Sequence, residues 1–194
     1  DVEGFGARLS AAAPKVARSV HEEGSAADNP FRTVVHGDLK SANVFLSGGE
    51  AGGTEAALID FQWSGWGLGA TDLAYLVASS AAADLLPLDG SGEPALLRSY
   101  HSHLCAALVT FGAAGSVESA AAMCPFPTLL SQYESAVVDV CRLAVAYQWR
   151  RLNASPEVLR RNASSLGRCA YNKSLHHAMW LVARTDAILR SRRM

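Results

Sequence analysis

The stretch VVHGDLKSANVFLS, residues 34–47, decides how the rest of the chain is read. A β-branched run leads into it and an apolar run leads out. Between them stand His36, Asp38, Lys40 and Asn43, where a plain reversal would carry only turn residues. Upstream, FRTVVHG has the composition of a short strand. Downstream, NVFLS and AALID flank the glycine-rich GGEAGGTE, so residues 43–60 are expected to form a β-hairpin with a loose tip over 48–56. A loop pinned at both ends by strands can hold polar groups in fixed positions.

Those groups suit phosphoryl transfer, which needs a proton acceptor for the attacking hydroxyl and oxygen ligands for Mg²⁺ at the nucleotide phosphates. Asp38 can take the base role. Asn43 offers an amide oxygen, and Asp60, at the end of the second hairpin strand, offers a carboxylate; Mg²⁺ usually takes only one or two protein oxygens. Hairpin pairing brings Asn43 and Asp60 together across the sequence between them. Asp38, Asp60 or Asn43 alone would be an ordinary cap or turn residue. Their joint order and context carry the signal.

Around this centre the chain has 194 residues, 49% of them hydrophobic, enough for one sizeable core. A net charge of −1 and a pI near 6.6 give no electrostatic reason to expect nucleic acid or a membrane surface as partner. No apolar run reaches the length of a membrane span, and the first residues lack a basic start followed by an apolar stretch. Cys105, Cys124, Cys141 and Cys169 form no C-x-x-C pair and are expected to be reduced core thiols, which fits a cytoplasmic setting.

Phe5, Leu9, Ala13, Val16 and Val20 recur at helical steps, with Pro14 expected to kink or split the helix. From Thr71 onward the pattern is nearly all helix: 71–86, 94–111, 127–152, 156–169 and 174–192, with Pro94 and Pro156 in first turns, Ser155 an N-cap and Gly112 a stop. The fold class expected is α+β and mostly helical. His101/His103 and His176/His177 are spaced one or two apart on helices, so their side chains do not converge on a metal.

Taken with ALIDFQWSGWGLGATDLAYLV, the opening stretch resembles the core of the aminoglycoside phosphotransferase and choline kinase-like superfamily. It is most similar to the ecdysteroid kinase-like (CHK kinase-like) branch, over residues 33–80. The resemblance implies a protein-kinase-like C-terminal lobe whose β-hairpin carries a catalytic loop, with the core at 33–80 and a helical subdomain at 81–194. It implies Asp38 as base and Asn43 and Asp60 as ligands of Mg²⁺ and hence of ATP. His36 is implied as a packing residue beneath the loop, and Asp72 as a helix cap that braces it. Lys40 has two readings, a contact with the transferred phosphate or a solvent-facing charge. Trp63 and Trp66 read first as core residues, and otherwise as an aromatic substrate surface.

Protein kinases share the logic, but Gly37 stands where their loop has Arg, and only residues 63–71 separate IDFQ from Asp72, too few for an activation segment. The expected acceptor is therefore a small-molecule hydroxyl. Residues 1–32 read as helix and offer no phosphate loop or strand lysine, and the chain lacks an initiator Met. It is expected to be a C-lobe whose partner, the N-terminal nucleotide-binding lobe of the same polypeptide, is absent here. Two functions follow: an ATP-dependent phosphotransferase acting on an alcohol group, with this chain alone incomplete and inactive, or a noncatalytic kinase-like binding module.

Overall fold

Strands and helices fall where apolar periodicity changes from two to about three and a half, and a computed structural model describes them for residues 4–48 and 54–193. Helix α1 (Phe5–Ser25) leads into strand β1 (Arg32–Val35), and strands β2 (Val44–Gly48) and β3 (Thr54–Leu58) follow. Strand β4 (Gly65–Leu68) runs straight into α2 (Gly69–Ser80). Helices α3 (Glu93–Thr110), α4 (Val117–Met123) and α5 (Phe126–Leu143) come next. A π-helical stretch, Ala144–Trp149, joins α5 to α6 (Arg150–Leu152); α7 (Pro156–Arg161) and α8 (Leu175–Ser191) complete the order.

The strands form two separate antiparallel pairs. β2 and β3 make the expected hairpin, with Val44 opposite Leu58 and Gly48 opposite Thr54. Most of its tip, residues 49–53, lies outside the described residues. β1 pairs with β4, Arg32 opposite Leu68 and Val35 opposite Gly65, a strand the sequence reading had left unassigned. GWGL has no β-branched run, so its extended form is imposed by β1 and not by its own propensity.

α2 sits at the centre of the helical layer, against α5, α8 and β1, and α5 also contacts α1 and α8. The core joins Leu73, Ala74 and Val77 of α2 to Val137 and Cys141 of α5, Val16 of α1 and Trp180, Leu181 and Ile188 of α8. Each large side chain buried in this way contributes about 1.5–3 kcal/mol. Small residues at Ala70, Ala74 and Ala78 let α2 lie deep among its neighbours. Pro14 does not split α1, which is unbroken across it. Leu9, Ala12 and Val16 are buried on either side, and that packing holds the helix through the missing hydrogen bond. α3 stops just before Gly112 as expected, with Gly112 left-handed at φ 74° and its N–H on the Val109 carbonyl.

Two helix ends differ from expectation, and one helix is additional. The first predicted span, 71–86, stops at Ser80. The predicted 156–169 helix ends at Arg161, because NASSLGRC supplies polar residues and a glycine in place of an apolar stripe. α4 was not anticipated; it is held by a capping box in which Ser116 and Ser119 exchange hydrogen bonds. Ser155 caps α7 as read, accepting from the Val158 N–H. All four cysteines are free thiols, three of them buried. Among the described residues no helix is long and apolar enough to cross a membrane.

Trp63 and Trp66 are not in the core. They are 69% and 62% exposed, Trp63 in the short helical turn after Asp60 and Trp66 on β4. Trp66 pairs across strands with the equally outward Val34, and the Arg32 guanidinium stacks 4.1 Å over its ring. Phe45, Leu46 and Phe61 are exposed nearby in sequence and sheet, so the strand region presents apolar side chains outward.

Candidate functional site

β1 ends at Val35, and the chain turns at Gly37, whose φ of 82° is left-handed. A Cβ there would collide with the Trp63 carbonyl, so the position accepts only glycine without distortion. This explains why Gly stands where protein kinases carry Arg: the segment after Asp60 passes directly over the backbone.

Three devices fix the loop that follows. The Asp72 carboxylate, in the first turn of α2, accepts the His36 N–H at 2.6 Å through Oδ2 and the Gly37 N–H at 2.9 Å through Oδ1. His36 is 6% exposed; its Nε2–H donates to the Ile59 carbonyl at 2.8 Å and its Nδ1 accepts the Asp38 N–H at 3.3 Å, which sets the tautomer. Its ring lies 4.8 Å from that of Phe61. At the far end, the Ser41 N–H donates to Ser80 Oγ at 2.7 Å, tying the loop to the last turn of α2. Asp72 thus braces the loop and His36 is packed beneath it, but Asp72 is not the helix cap the resemblance implied: the N-cap of α2 is Leu68.

The Asp38 carboxylate is gathered by three side chains. Lys40 Nζ donates to Oδ2 at 2.6 Å, Asn43 Nδ2 to Oδ2 at 3.1 Å and Tyr75 Oη to Oδ1 at 3.0 Å. Lys40 is folded back on Asp38, with 22% of its side chain exposed, so it is not simply a solvent-facing charge. Asn43 is buried, and its Nδ2 also donates to the Asp38 carbonyl at 2.8 Å, which commits its nitrogen and leaves Oδ1 as the free end of the amide.

Tyr75 was not singled out from the sequence. It lies one turn after Asp72, at i+3 on the same helix, and that spacing is the signal that places both side chains beside the loop. Burial pushes its hydroxyl far above the ordinary tyrosine value, with Tyr171, Cys169 and Asp38 adding to the effect, so it stays a neutral donor. Because its proton goes to Asp38, the Cys169 thiol 3.2 Å away donates to the tyrosine oxygen. Behind it, Tyr171 is buried and its main-chain carbonyl takes the Trp149 Nε1–H at 3.1 Å. The π-helical stretch is what presents Gln148 and Trp149 to this segment; Gln148 accepts Asn172 Nδ2 at 2.6 Å.

Asp60 enters from the hairpin. The Ile59 N–H donates to the Asn43 carbonyl at 3.1 Å while the Ile59 carbonyl takes His36, so the residue before Asp60 is fastened to both ends of the loop. Asp60 itself is left-handed (φ 65°, ψ 57°) and exposed, and among the described residues its side chain has one hydrogen bond, a long one at 3.4 Å from Gln62 Nε2. Holding a non-glycine residue there costs about 1 kcal/mol or more, and such strain is typical of functional positions. Among the described residues no cluster of three or more His, Cys, Asp or Glu side chains is arranged to hold a metal ion. The histidines bond to backbone carbonyls, His101 to that of Cys124, His103 to that of Ser99, His176 to that of Leu86 and His177 to that of Ala81, and the His176 and His177 rings meet edge to face at 5.8 Å.

The sequence model of the ecdysteroid kinase-like family matches residues 2–112, more than half of the chain, and the match includes every residue of this site up to Tyr75. No curated protein and no solved structure gives a significant match.

Proposed function

The chain belongs to the ecdysteroid kinase-like family, and on that premise we propose that it is the C-terminal lobe of an ATP-dependent kinase that phosphorylates a hydroxyl group of a small molecule. The observation that carries the proposal is the Asp38 carboxylate, gathered by Lys40, Asn43 and Tyr75 on a loop whose backbone is clamped by Asp72. A single carboxylate held by three donors on a fixed loop is what a proton acceptor for an attacking hydroxyl requires.

In this reading Asp38 orients the acceptor hydroxyl and takes its proton. Tyr75 keeps the carboxylate aimed, and Lys40 holds a positive charge beside it, close to where the transferred phosphoryl group would pass. Asn43 and Asp60 fit a hard cation: one contributes a free amide oxygen and the other a carboxylate with a single weak partner. Mg²⁺ held there would neutralise charge on the nucleotide phosphates. The exposed apolar side chains of the strand region, Val34, Phe45, Leu46 and Trp66 among them, suit coverage by an N-terminal lobe of the same polypeptide, which would close the nucleotide cleft.

Calorimetry with Mg-ATP tests this reading. The chain alone should bind weakly, since it holds the phosphates from one side only, and Asp60→Asn should weaken binding further while Asp38→Asn leaves it intact. Equal binding by wild type and Asp60→Asn would remove the metal-site assignment and favour a noncatalytic binding module.

A further inference from the structure

On the other side of the loop from the Asp38 carboxylate lies a cavity of about 430 Å³, bounded by residues 30–34, the start of α2, the middle of α3 and the start of α5. Its volume lies within the range of small-molecule sites. Asp38 does not line it, and the Asp38 carboxylate is occupied by Tyr75, Lys40 and Asn43. Leu39 and Asp72 do line it, so the cavity shares a wall with the loop.

Two features distinguish it from a packing gap. Tyr100, Leu104 and Leu108 recur at four-residue steps on α3 and form one stripe; all three are only partly buried and line the cavity, Tyr100 also packing against the core. A packing defect leaves a small void, whereas here a stripe of three side chains borders open space of small-molecule size. The second feature is polar. The Tyr100 hydroxyl has no hydrogen-bond partner among the described residues. It stands at the α2 side of the space, where it would lie 3.3 Å from a Cβ placed on Gly69. Burial, and secondarily Asp72 and Cys124, raise the Tyr100 hydroxyl above its ordinary value and keep it a neutral donor.

We propose that this cavity is a second small-molecule site, for a largely apolar, uncharged compound that presents one acceptor oxygen, a hydroxyl or carbonyl, to Tyr100. Apolar walls supply the affinity and the Tyr100 donor fixes the oxygen, while the Asp72 carboxylate in the wall disfavours an anion. The proposal does not depend on phosphoryl transfer at Asp38.

The probe is 2-naphthol, with naphthalene as its oxygen-free counterpart, measured by fluorescence titration on the full chain. Saturable binding of one 2-naphthol per chain is expected. It should weaken by about 5-fold in Tyr100→Phe, the equivalent of one neutral hydrogen bond, while naphthalene binding should not change. Leu104→Trp, which fills the space, should reduce both by about 10-fold or more with the far-UV circular dichroism intact. Cys124 gives an independent readout on wild type, because it lines the cavity and is the least buried of the four cysteines. 2-Naphthol should slow its alkylation at the concentrations that saturate the fluorescence signal. Non-saturable binding, or Cys124 alkylation at an unchanged rate, would overturn the proposal. So would equal responses of the two probes to Tyr100→Phe.

Discussion

Replacing Asp72 by alanine removes one side chain and releases two backbone donors, which makes the loop clamp measurable without any assay of activity. The two hydrogen bonds, 2.6 Å to the His36 N–H and 2.9 Å to the Gly37 N–H, both end on a carboxylate. A bond of that charge-assisted kind contributes about 1.5–3 kcal/mol net. The two losses are unequal. Gly37 is exposed, so its freed N–H recovers water and forfeits little; His36 is buried, and its N–H does not. The sum is about 2–4 kcal/mol for Asp72→Ala. Asp72→Asn keeps one acceptor oxygen but turns an NH₂ toward the second donor, for about half that loss. Urea unfolding followed by circular dichroism gives the stability change, and amide exchange at His36 and Gly37 gives its location. A change under about 0.5 kcal/mol in Asp72→Ala, with both amides still protected, would refute the reasoning.

Two other predictions address the loop and the helical layer. Gly37→Ala should destabilise by more than about 2 kcal/mol, since the new Cβ meets the Trp63 carbonyl at a left-handed φ; thermal unfolding within a degree or two of wild type would contradict it. His177 should make the fold acid-sensitive: burial lowers its proton affinity despite the hydrogen bond to the Ala81 carbonyl, with His176 and Lys173 acting in the same direction as burial. Its folded-state value lies below the unfolded one of about 6.5, so its stabilisation is complete above that pH and is lost as pH falls toward the folded value. The urea midpoint should drop between pH 7.5 and pH 5.5, and drop less in His177→Gln; an identical drop in both proteins would reject the assignment.

The loop was legible in the sequence because its determinants are contiguous: strand, polar turn and hairpin follow one another between Arg32 and Leu58, and each carries its own local signal. The brace from Asp72 was legible through the same motif. β4 was not, since GWGL becomes a strand only by pairing with β1, a long-range contact that no local propensity encodes. Tyr75 escaped because an apolar-looking DLAYLV helix gives no hint that one hydroxyl is aimed at Asp38; only the i+3 step from Asp72 points to it. The tryptophans were misread for a related reason. An aromatic residue is expected to find cover, and whether Trp63 and Trp66 are covered depends on whether another layer lies over them, which the residues around them do not specify.

Turnover by the full-length polypeptide, or by this chain complemented with its nucleotide-binding lobe, tests the central claim most directly. Transfer of labelled γ-phosphate from Mg-ATP to hydroxyl acceptors would be measured for wild type and Asp38→Asn, a substitution that preserves shape and the Tyr75 contact but removes the proton acceptor. The account predicts a fall of about 10²-fold or more in turnover with Mg-ATP binding retained; an active enzyme whose turnover is unchanged by Asp38→Asn would contradict it.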